Sequence, residues 1–574
     1  MENKTISRTL RLLSQLMEMH NENSFKIKSV ANAAFKIDKL PFAIKDKNLE
    51  EIEKIDGLGK SISSKVWELL NKGTMTDLDN ILKETPEGIV DMLGIKGIGP
   101  KKIVVIWKDL GIETIGELYY ACNENRLIEA KGFGLKTQEE IKKVIEFSMA
   151  AQGKFLYARA EGPVNKLFAD FALWLTRFKN APLLGIGGDY RRCMEIIEEV
   201  PFLIGSDSPE EVIDQLASFE PLSFLEQTDG CFVADSPFGL KIKLQITEKD
   251  SFYLDWFILT GNKKHVTEVL QQAGPGPFTS EQSIYQNAGL AYVEPELREG
   301  LNELREGLNE LELARTNKLP LLLTGQDLKG TLHNHSTWSD GVHTLEEMSL
   351  FCKENLKLEY LGICDHSKSA FYANGLNEQR VYAQHQEIDA LNQKLAPFRI
   401  FKGIESDILN DGSLDYSEEI LKTFDFVVAS VHSNLRMDEE KATARLIKAI
   451  ENPYTTILGH PTGRLLLSRK GYPIDYKKVI DACANNGVVI EINANPLRLD
   501  LDWRWHRYAL ERGVLLSINP DAHRTEGFHD MHYGVLVGRK GGLTAPQCLN
   551  TMSLIEISTF FDTKKNSISL SNQK

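Results

Sequence analysis

Two hydrophobic patterns divide this chain. Over residues 1 to about 150 the apolar residues return at helical spacing, as in Thr5 to Met19, where Leu10, Leu13, Leu16 and Met17 form one stripe. Beyond about residue 330 the pattern changes to short unbroken apolar runs: Leu361-Gly-Ile-Cys364, Phe426-Val-Val-Ala429, Thr456-Ile-Leu-Gly459 and Val514-Leu-Leu-Ser-Ile-Asn519. Such runs fit strands buried on both faces of a parallel sheet. The front of the chain therefore reads as all-helical and the back as an α/β barrel.

Each apolar run leads into side chains that bind metals. Asp365-His366, His432, His460 and Asp521-Ala-His523 follow the four runs, and His333, His335, Asp340 and Glu405 complete the series. Residues at strand C-terminal ends converge on one face of a barrel. A lone histidine after a strand is more often a hydrogen-bonded core residue. An ordered series of nine, His333, His335, Asp340, His366, Glu405, His432, His460, Asp521 and His523, is a different signal. Imidazoles mixed with carboxylates suit Zn²⁺, Mn²⁺ or Fe²⁺, and nine groups are too many for one ion. The layout implies a multinuclear metallohydrolase.

The helical front carries one device three times: Gly57-Leu-Gly59-Lys60, Gly97-Ile-Gly99-Pro-Lys101-Lys102 and Gly132-Phe-Gly134-Leu-Lys136. Two glycines around an apolar residue make a tight turn whose amides face outward at a helix start, which is an anion cradle. Three copies trailed by lysine resemble helix-hairpin-helix binders of the DNA backbone, and imply a phosphate grip without sequence preference.

The bulk numbers narrow the class. At 574 residues the chain should hold three or four domains. Its 42% hydrophobic and 26% charged content is that of an ordinary soluble protein. A net charge of −14 confines any DNA binding to local patches. No apolar stretch approaches membrane-spanning length, and the start does not read as a secretory signal. Seven scattered cysteines without a CxxC read as reduced thiols, so a cytoplasmic location and no membrane partner are expected.

Thr331-Leu-His-Asn-His335, Ser339-Asp-Gly341, Gly403-Ile-Glu405, Ser430-Val-His-Ser433, Gly459-His-Pro461, Glu491-Ile-Asn-Ala-Asn-Pro496 and Asn519-Pro-Asp-Ala-His523 resemble the PHP (polymerase and histidinol phosphatase) family. Asp411-Gly-Ser-Leu-Asp-Tyr416 and Leu499-Asp-Leu-Asp-Trp-Arg504 are similar to one branch of it, the C-terminal domain of bacterial family X DNA polymerases. The resemblance implies a distorted (βα)7 barrel over 317–574, holding up to three ions. Manganese is the expected metal, with zinc, iron or magnesium as alternatives. It implies that the nine residues above are ligands, with Glu405, Asp521 and His432 closest to catalysis and Glu405 bridging. Asp365 and Asp407 are candidate orienters of neighbouring ligands. Arg464 would clamp a phosphate oxygen or else form a surface salt bridge; both readings stay open. Ahead of the barrel, the resemblance implies an 8-kDa-like DNA-binding domain over 1–80, further helix-hairpin-helix repeats over 81–150, and an α+β nucleotidyltransferase-like palm with a helical linker over 151–316. Lys65 falls where some relatives carry a Schiff-base lysine, although a solvated helix lysine fits as well. The perfect duplication Leu297–Glu303 and Leu304–Glu310 is expected to be an exposed helix.

The palm departs from its family. Family X polymerases hold two divalent ions with three carboxylates. The family register puts Glu199 and Pro201 at the first pair and Lys243 at the third position. Proline has no ligand atom, and lysine brings positive charge where cations should sit. Asp189 replaces a serine of the triphosphate grip, and Ile258-Leu259 replace a Tyr-Phe pair. A rescue in a slipped register would use Glu198, Glu199 and Asp255.

The reading adopted is a DNA-binding, manganese-dependent 3′–5′ exonuclease or 3′-end-processing enzyme of repair, with a decayed polymerase site. It would work, as a monomer, on gapped, nicked or 3′ DNA ends. The alternatives are a gap-filling polymerase with a proofreading barrel, and a histidinol-phosphatase-type enzyme, against which the DNA-binding front half argues.

Overall fold

The computed structural model describes residues 1–95, 97–128, 130–150, 153–228, 231–300 and 309–571. They form two compact units, Met1–Glu146 and Phe147–Lys574, so the palm-like and barrel segments share the second.

The first unit is helical throughout its described residues. Helix Asn3–Met19 buries Ile6, Leu10, Leu13, Leu16 and Met19, so three of the four expected stripe residues are inside while Met17 is only partly buried, and it packs along Ser24–Asp38. Asn23 caps the second helix by accepting from the amides of Phe25 and Lys26. The three glycine hairpins share one backbone geometry. Gly57, Gly97 and Gly132 have φ of 82°, 92° and 88°, the left-handed region that favours glycine. Gly59 and Gly99 then cap helices Lys60–Lys72 and Pro100–Val104.

In the second unit a five-stranded sheet comes first: β1 (Leu183–Ile186), β2 (Glu199–Ser206), β3 (Ser223–Thr228), β4 (Cys231–Asp235) and β5 (Lys241–Glu248). Its order is β1-β2-β5-β4-β3, antiparallel except for the central β2–β5 pair. Helix Tyr157–Leu175 covers one face through Phe171, whose ring stacks on Phe219 at 3.9 Å and contacts Phe202. The duplicated segment lies largely outside the described residues, which omit 301–308. Its described ends are not exposed as expected. Arg298 is fully buried and bonded to Glu281, and buried Glu310 meets His265 at 2.8 Å.

The barrel follows as seven parallel strands in sequential order: β6 (Gly330–Thr331), β7 (Tyr360–Ile363), β8 (Arg399–Asp407), β9 (Phe426–Ser430), β10 (Ile457–Leu458), β11 (Val489–Asn493) and β12 (Leu516–Asn519). Glycines make room inside it. A Cβ at Gly362 or Gly403 would lie 2.6 or 2.5 Å from the Phe426 ring. Phe561, on helix Leu554–Ser571, stacks on that same ring at 5.0 Å. Phe426 opens β9, so this helix covers the end opposite the strand C-termini.

The ring has one seam, between β6 and β12, and amide side chains sew it. Buried Asn550 donates to the carbonyls of Gly330 (3.1 Å) and Ile518 (2.8 Å) and accepts from the Ile518 amide at 2.7 Å. Asn519 accepts from the Leu332 amide at 3.1 Å. Past the strands, Asn334 and Ala522 pair in parallel, with the His335 amide 2.9 Å from the Ala522 carbonyl.

Asn550→Ala should leave several buried backbone groups without partners and lower stability by about 3 kcal/mol. Thermal unfolding of the full chain tests this, and an unchanged melting curve would remove Asn550 from the closure.

Candidate metal centre

All nine predicted ligand residues meet at the C-terminal ends of the barrel strands. Glu405 is central. One carboxylate oxygen lies 3.0 Å from His460 Nε2, 3.1 Å from His432 Nε2 and 3.3 Å from His333 Nε2. The other is 2.9 Å from His366 Nδ1 and 3.7 Å from His335 Nε2. Asp521 lies 2.9 Å from His335 Nε2, and Asp340 lies 3.4 Å from both His366 and His523. Three groupings have ligand atoms close enough to share an ion: His335/Asp340/His366/His523, His333/His335/Asp521 and His366/Glu405/His432.

The chain pays a conformational cost to aim these groups. Asp521 has φ 55°, a strained setting for a residue other than glycine, fixed by its amide bond to the His333 carbonyl at 3.1 Å. The turn carrying Asp340 hangs on Asp365, which accepts from Ser336 and Ser339 and from Gln384. Asp365 thus holds a loop rather than orienting the neighbouring His366 ring. Asp407 lies 2.5 Å from His432 Nδ1, leaving Nε2 aimed at Glu405.

Glu491 does the same for His333, at 2.7 Å from Nδ1, and also accepts from Asn493 and Asn519. The sequence reading gave Glu491 no such role. Its alternation with Asn493, on one face of β11, is the signal that marks it. Asn493 in turn donates to Asp521 at 3.2 Å.

Electrostatics follows from burial and crowding. Burial alone would push the Glu405 carboxyl up, but His432, His333 and His366 outweigh it and hold it well below the usual carboxylate range. Asp340 and Asp521 are depressed in the same way by their histidines. Burial disfavours the charged imidazole, yet Glu491 and Glu405 raise His333 well above its ordinary value, and Asp340 and Glu405 do so for His366. His432 is raised to about 9, where Glu405 and Asp407 overcome its burial. His335 and His460 go down, through burial and then neighbouring histidines for the first and Arg498 for the second. Among the described residues, His333 Nε2, His335 Nδ1, both ring nitrogens of His366, His460 Nδ1, Asp340 Oδ2 and Glu405 Oε2 are buried without a hydrogen bond. Dry nitrogen and oxygen donors left in this state fit a divalent cation set.

Arg464 requires a correction. Its guanidinium is spent on Asp502 (2.5 Å) and on the carbonyls of Arg498 and Leu499, with Glu195 at 3.6 Å. The ion-pair reading holds, in a partly buried rather than a fully exposed setting, with each guanidinium nitrogen already engaged. Lys65 Nζ pairs with Asp77, and Lys60, Lys101 and Lys136 are exposed beside their hairpins. Lys102 donates to the Gly97 carbonyl at 3.2 Å. No atom lies within 4 Å of a Cβ built on Gly59, Gly99 or Gly134, so these turns face open space.

In the five-stranded sheet, Pro201 pairs with Lys243 across the parallel β2–β5 ladder. Lys243 Nζ lies 2.8 Å from Glu199. Asp189 is bonded to Arg192. Glu198 pairs with Lys154 at 3.2 Å, and Asp255 accepts from Thr247 on a helix, so the slipped-register carboxylates do not gather. A cavity of about 240 Å³ remains beside Asp189, Glu199, Pro201 and Lys243.

A parallel barrel with an imidazole–carboxylate cluster at its strand ends, joined to a mixed sheet and to repeated glycine hairpins, defines a DNA-processing protein with a PHP domain. The comparisons agree. Residues 1–75 match the Helix-hairpin-helix domain family and residues 89–146 the SAM-like Helix-hairpin-helix tandem. The chain is 32% identical over 584 aligned positions, 98% of this chain and 99% of the relative, to the DNA polymerase/3′-5′ exonuclease PolX of Bacillus subtilis strain 168. Its C-terminal part is 32% identical over 191 residues to a probable phosphatase of Thermoanaerobacter sp. strain X514, covering 32% of this chain and 75% of that one. A probable phosphatase of Acetivibrio thermocellus is 32% identical over 203 residues, or 33% and 78% of the two chains. The chain belongs to the bacterial family X DNA polymerases with a C-terminal PHP domain.

Mn²⁺ at about 100-fold over its dissociation constant should stabilise the protein by about 2.7 kcal/mol, seen as a rise in melting temperature. His333→Ala with His335→Ala should abolish that rise. Asp407→Asn should weaken metal binding about 10- to 100-fold while every ligand remains. Isothermal titration checks both, and wild-type affinity in the double variant would overturn the ligand assignment.

Proposed function

We propose that this protein is a manganese-dependent 3′–5′ exonuclease or 3′-end-processing phosphoesterase acting on DNA during repair, with a silent polymerase site. The observation that carries it is the meeting of nine ligand-type side chains around Glu405. When bound, divalent ions supply an activated water and positive charge against a phosphate. The protein's part is to hold the donors. Glu405 presents its two oxygens to different histidine groups, which suits a bridging carboxylate. Asp407 and Glu491 fix the tautomers of His432 and His333 so that Nε2 faces inward. Asp521 spans His333 and His335.

The relative in Bacillus subtilis bears both activities in its name, and the exonuclease half is the one the barrel chemistry supports here. Against the polymerase half stand Pro201 without a ligand atom and Lys243, whose ammonium already neutralises Glu199. The outward-facing hairpins support delivery of gapped or nicked DNA by phosphate contacts. A cytoplasmic monomer completes the reading.

With Mn²⁺ the purified protein should shorten labelled DNA 3′ ends, stop on chelation, and lose this activity in the His333→Ala, His335→Ala variant. Adding nucleotides on a gapped duplex to that variant should give no extension. Efficient templated extension that disappears with Glu199→Ala would show a working palm. The segment 1–146 should bind duplex DNA with little sequence preference, and its affinity should fall steeply between 50 and 200 mM salt, by about tenfold or more for each few phosphates contacted. A salt-independent affinity would remove the phosphate contacts from the account.

A further inference from the structure

Between His366 and Leu376 the chain folds into a compact loop at the edge of the ligand cluster. Ser367 and Leu376 pair at its base, and the Leu376 amide donates to the His366 carbonyl at 2.8 Å. Inside it, Ser369 donates from its amide to Asp415 at 2.7 Å. Its hydroxyl donates at 2.9 Å to Asp407, the carboxylate that orients His432. Gly375 is packed so closely that a Cβ would lie 1.9 Å from the Ser367 carbonyl oxygen. The tip is a single turn, Phe371–Ala373. There the Tyr372 ring sits 6.1 Å from the His366 ring, while the neighbouring Phe371 is 89% exposed.

A single exposed apolar ring is ordinary on a protein surface. Phe371 differs in its setting. Five residues separate it from His366, so it lies at most about 18 Å away. The loop beneath it is tied through Ser369 to Asp407, the carboxylate bonded to His432. Lys368, two residues after His366, is partly exposed, with its ammonium 2.8 Å from Glu378 and over the Tyr416 ring. An exposed aromatic ring beside the ligand cluster is a surface on which a base of single-stranded nucleic acid can stack.

We infer that Phe371 stacks against a nucleobase near the 3′ end of single-stranded or frayed DNA and positions that strand over the ligand cluster. The inference rests on the exonuclease reading for its setting but concerns binding.

The test uses the full-length protein with Phe371→Leu and Phe371→Trp. On a single-stranded oligonucleotide with Mn²⁺, Phe371→Leu should raise KM about tenfold, a loss of about 1.4 kcal/mol, with kcat changed less than twofold. Phe371→Trp should restore KM. Separately, with chelator present, an oligonucleotide ending in 2-aminopurine should lose fluorescence on binding the wild type and Phe371→Trp, and retain most of it with Phe371→Leu. Unchanged KM or unchanged quenching in Phe371→Leu would overturn the platform. A wild type that shortens no DNA but quenches in a Phe371-dependent manner would overturn the exonuclease reading and leave the platform standing.

Discussion

Glu405 is a carboxylate almost wholly removed from water, with five imidazoles within 3.7 Å of its two oxygens. An isolated charge in that position would be strongly destabilising. It persists because the imidazoles converge from four strand ends, and because two of those rings are themselves held from behind. Glu491 stands behind His333 and Asp407 behind His432. The arrangement is therefore two shells deep, and the inner one makes no sense without the outer. The barrel's order of strands is what lets His333 and His460, 127 positions apart, share one carboxylate.

The five-stranded sheet shows the opposite solution to the same problem. There the carboxylate of Glu199, which the resemblance put at a metal position, is met by a lysine from the neighbouring strand. A charge pair complete within the protein asks for no outside ion. Glu199 and Lys243 are both about half exposed, so the pair contributes little to stability. Its effect is on what the cavity attracts.

Much of this was legible in the sequence, and the exceptions have physical causes. The apolar runs ahead of His366, His432, His460 and Asp521 announced buried strands, because a two-sided burial leaves no alternation to confuse with a helix. The hairpin glycines were legible because φ near 90° is a glycine property. Glu491 was not, since a carboxylate on a strand looks alike whether it binds an ion or a histidine's far side. Arg464 was misplaced because its partners Asp502 and Glu195 are brought to it by the fold, 38 residues downstream and in the palm-like region. The duplicated Leu297–Glu310 segment read as solvent-facing from its charges, but buried Arg298 and Glu310 each find a buried partner, which composition cannot show.

The sewn seam has a consequence for how the barrel breathes. Six of its seven strand junctions are backbone ladders, while β6 and β12 are joined through Asn519 and Asn550, with backbone bonds only past the strand ends, at His333–Asp521 and His335–Ala522. Leu332, which Asn519 holds, precedes His333, and Asn519 itself lies two residues before Asp521. This junction is thus flanked by candidate ligands on both sides, and any ion shared by His333 and Asp521 would act as a rivet across it. Amide hydrogens along this seam would exchange on a clock set by metal occupancy, making the opening of the barrel a reporter of the state of its own active centre.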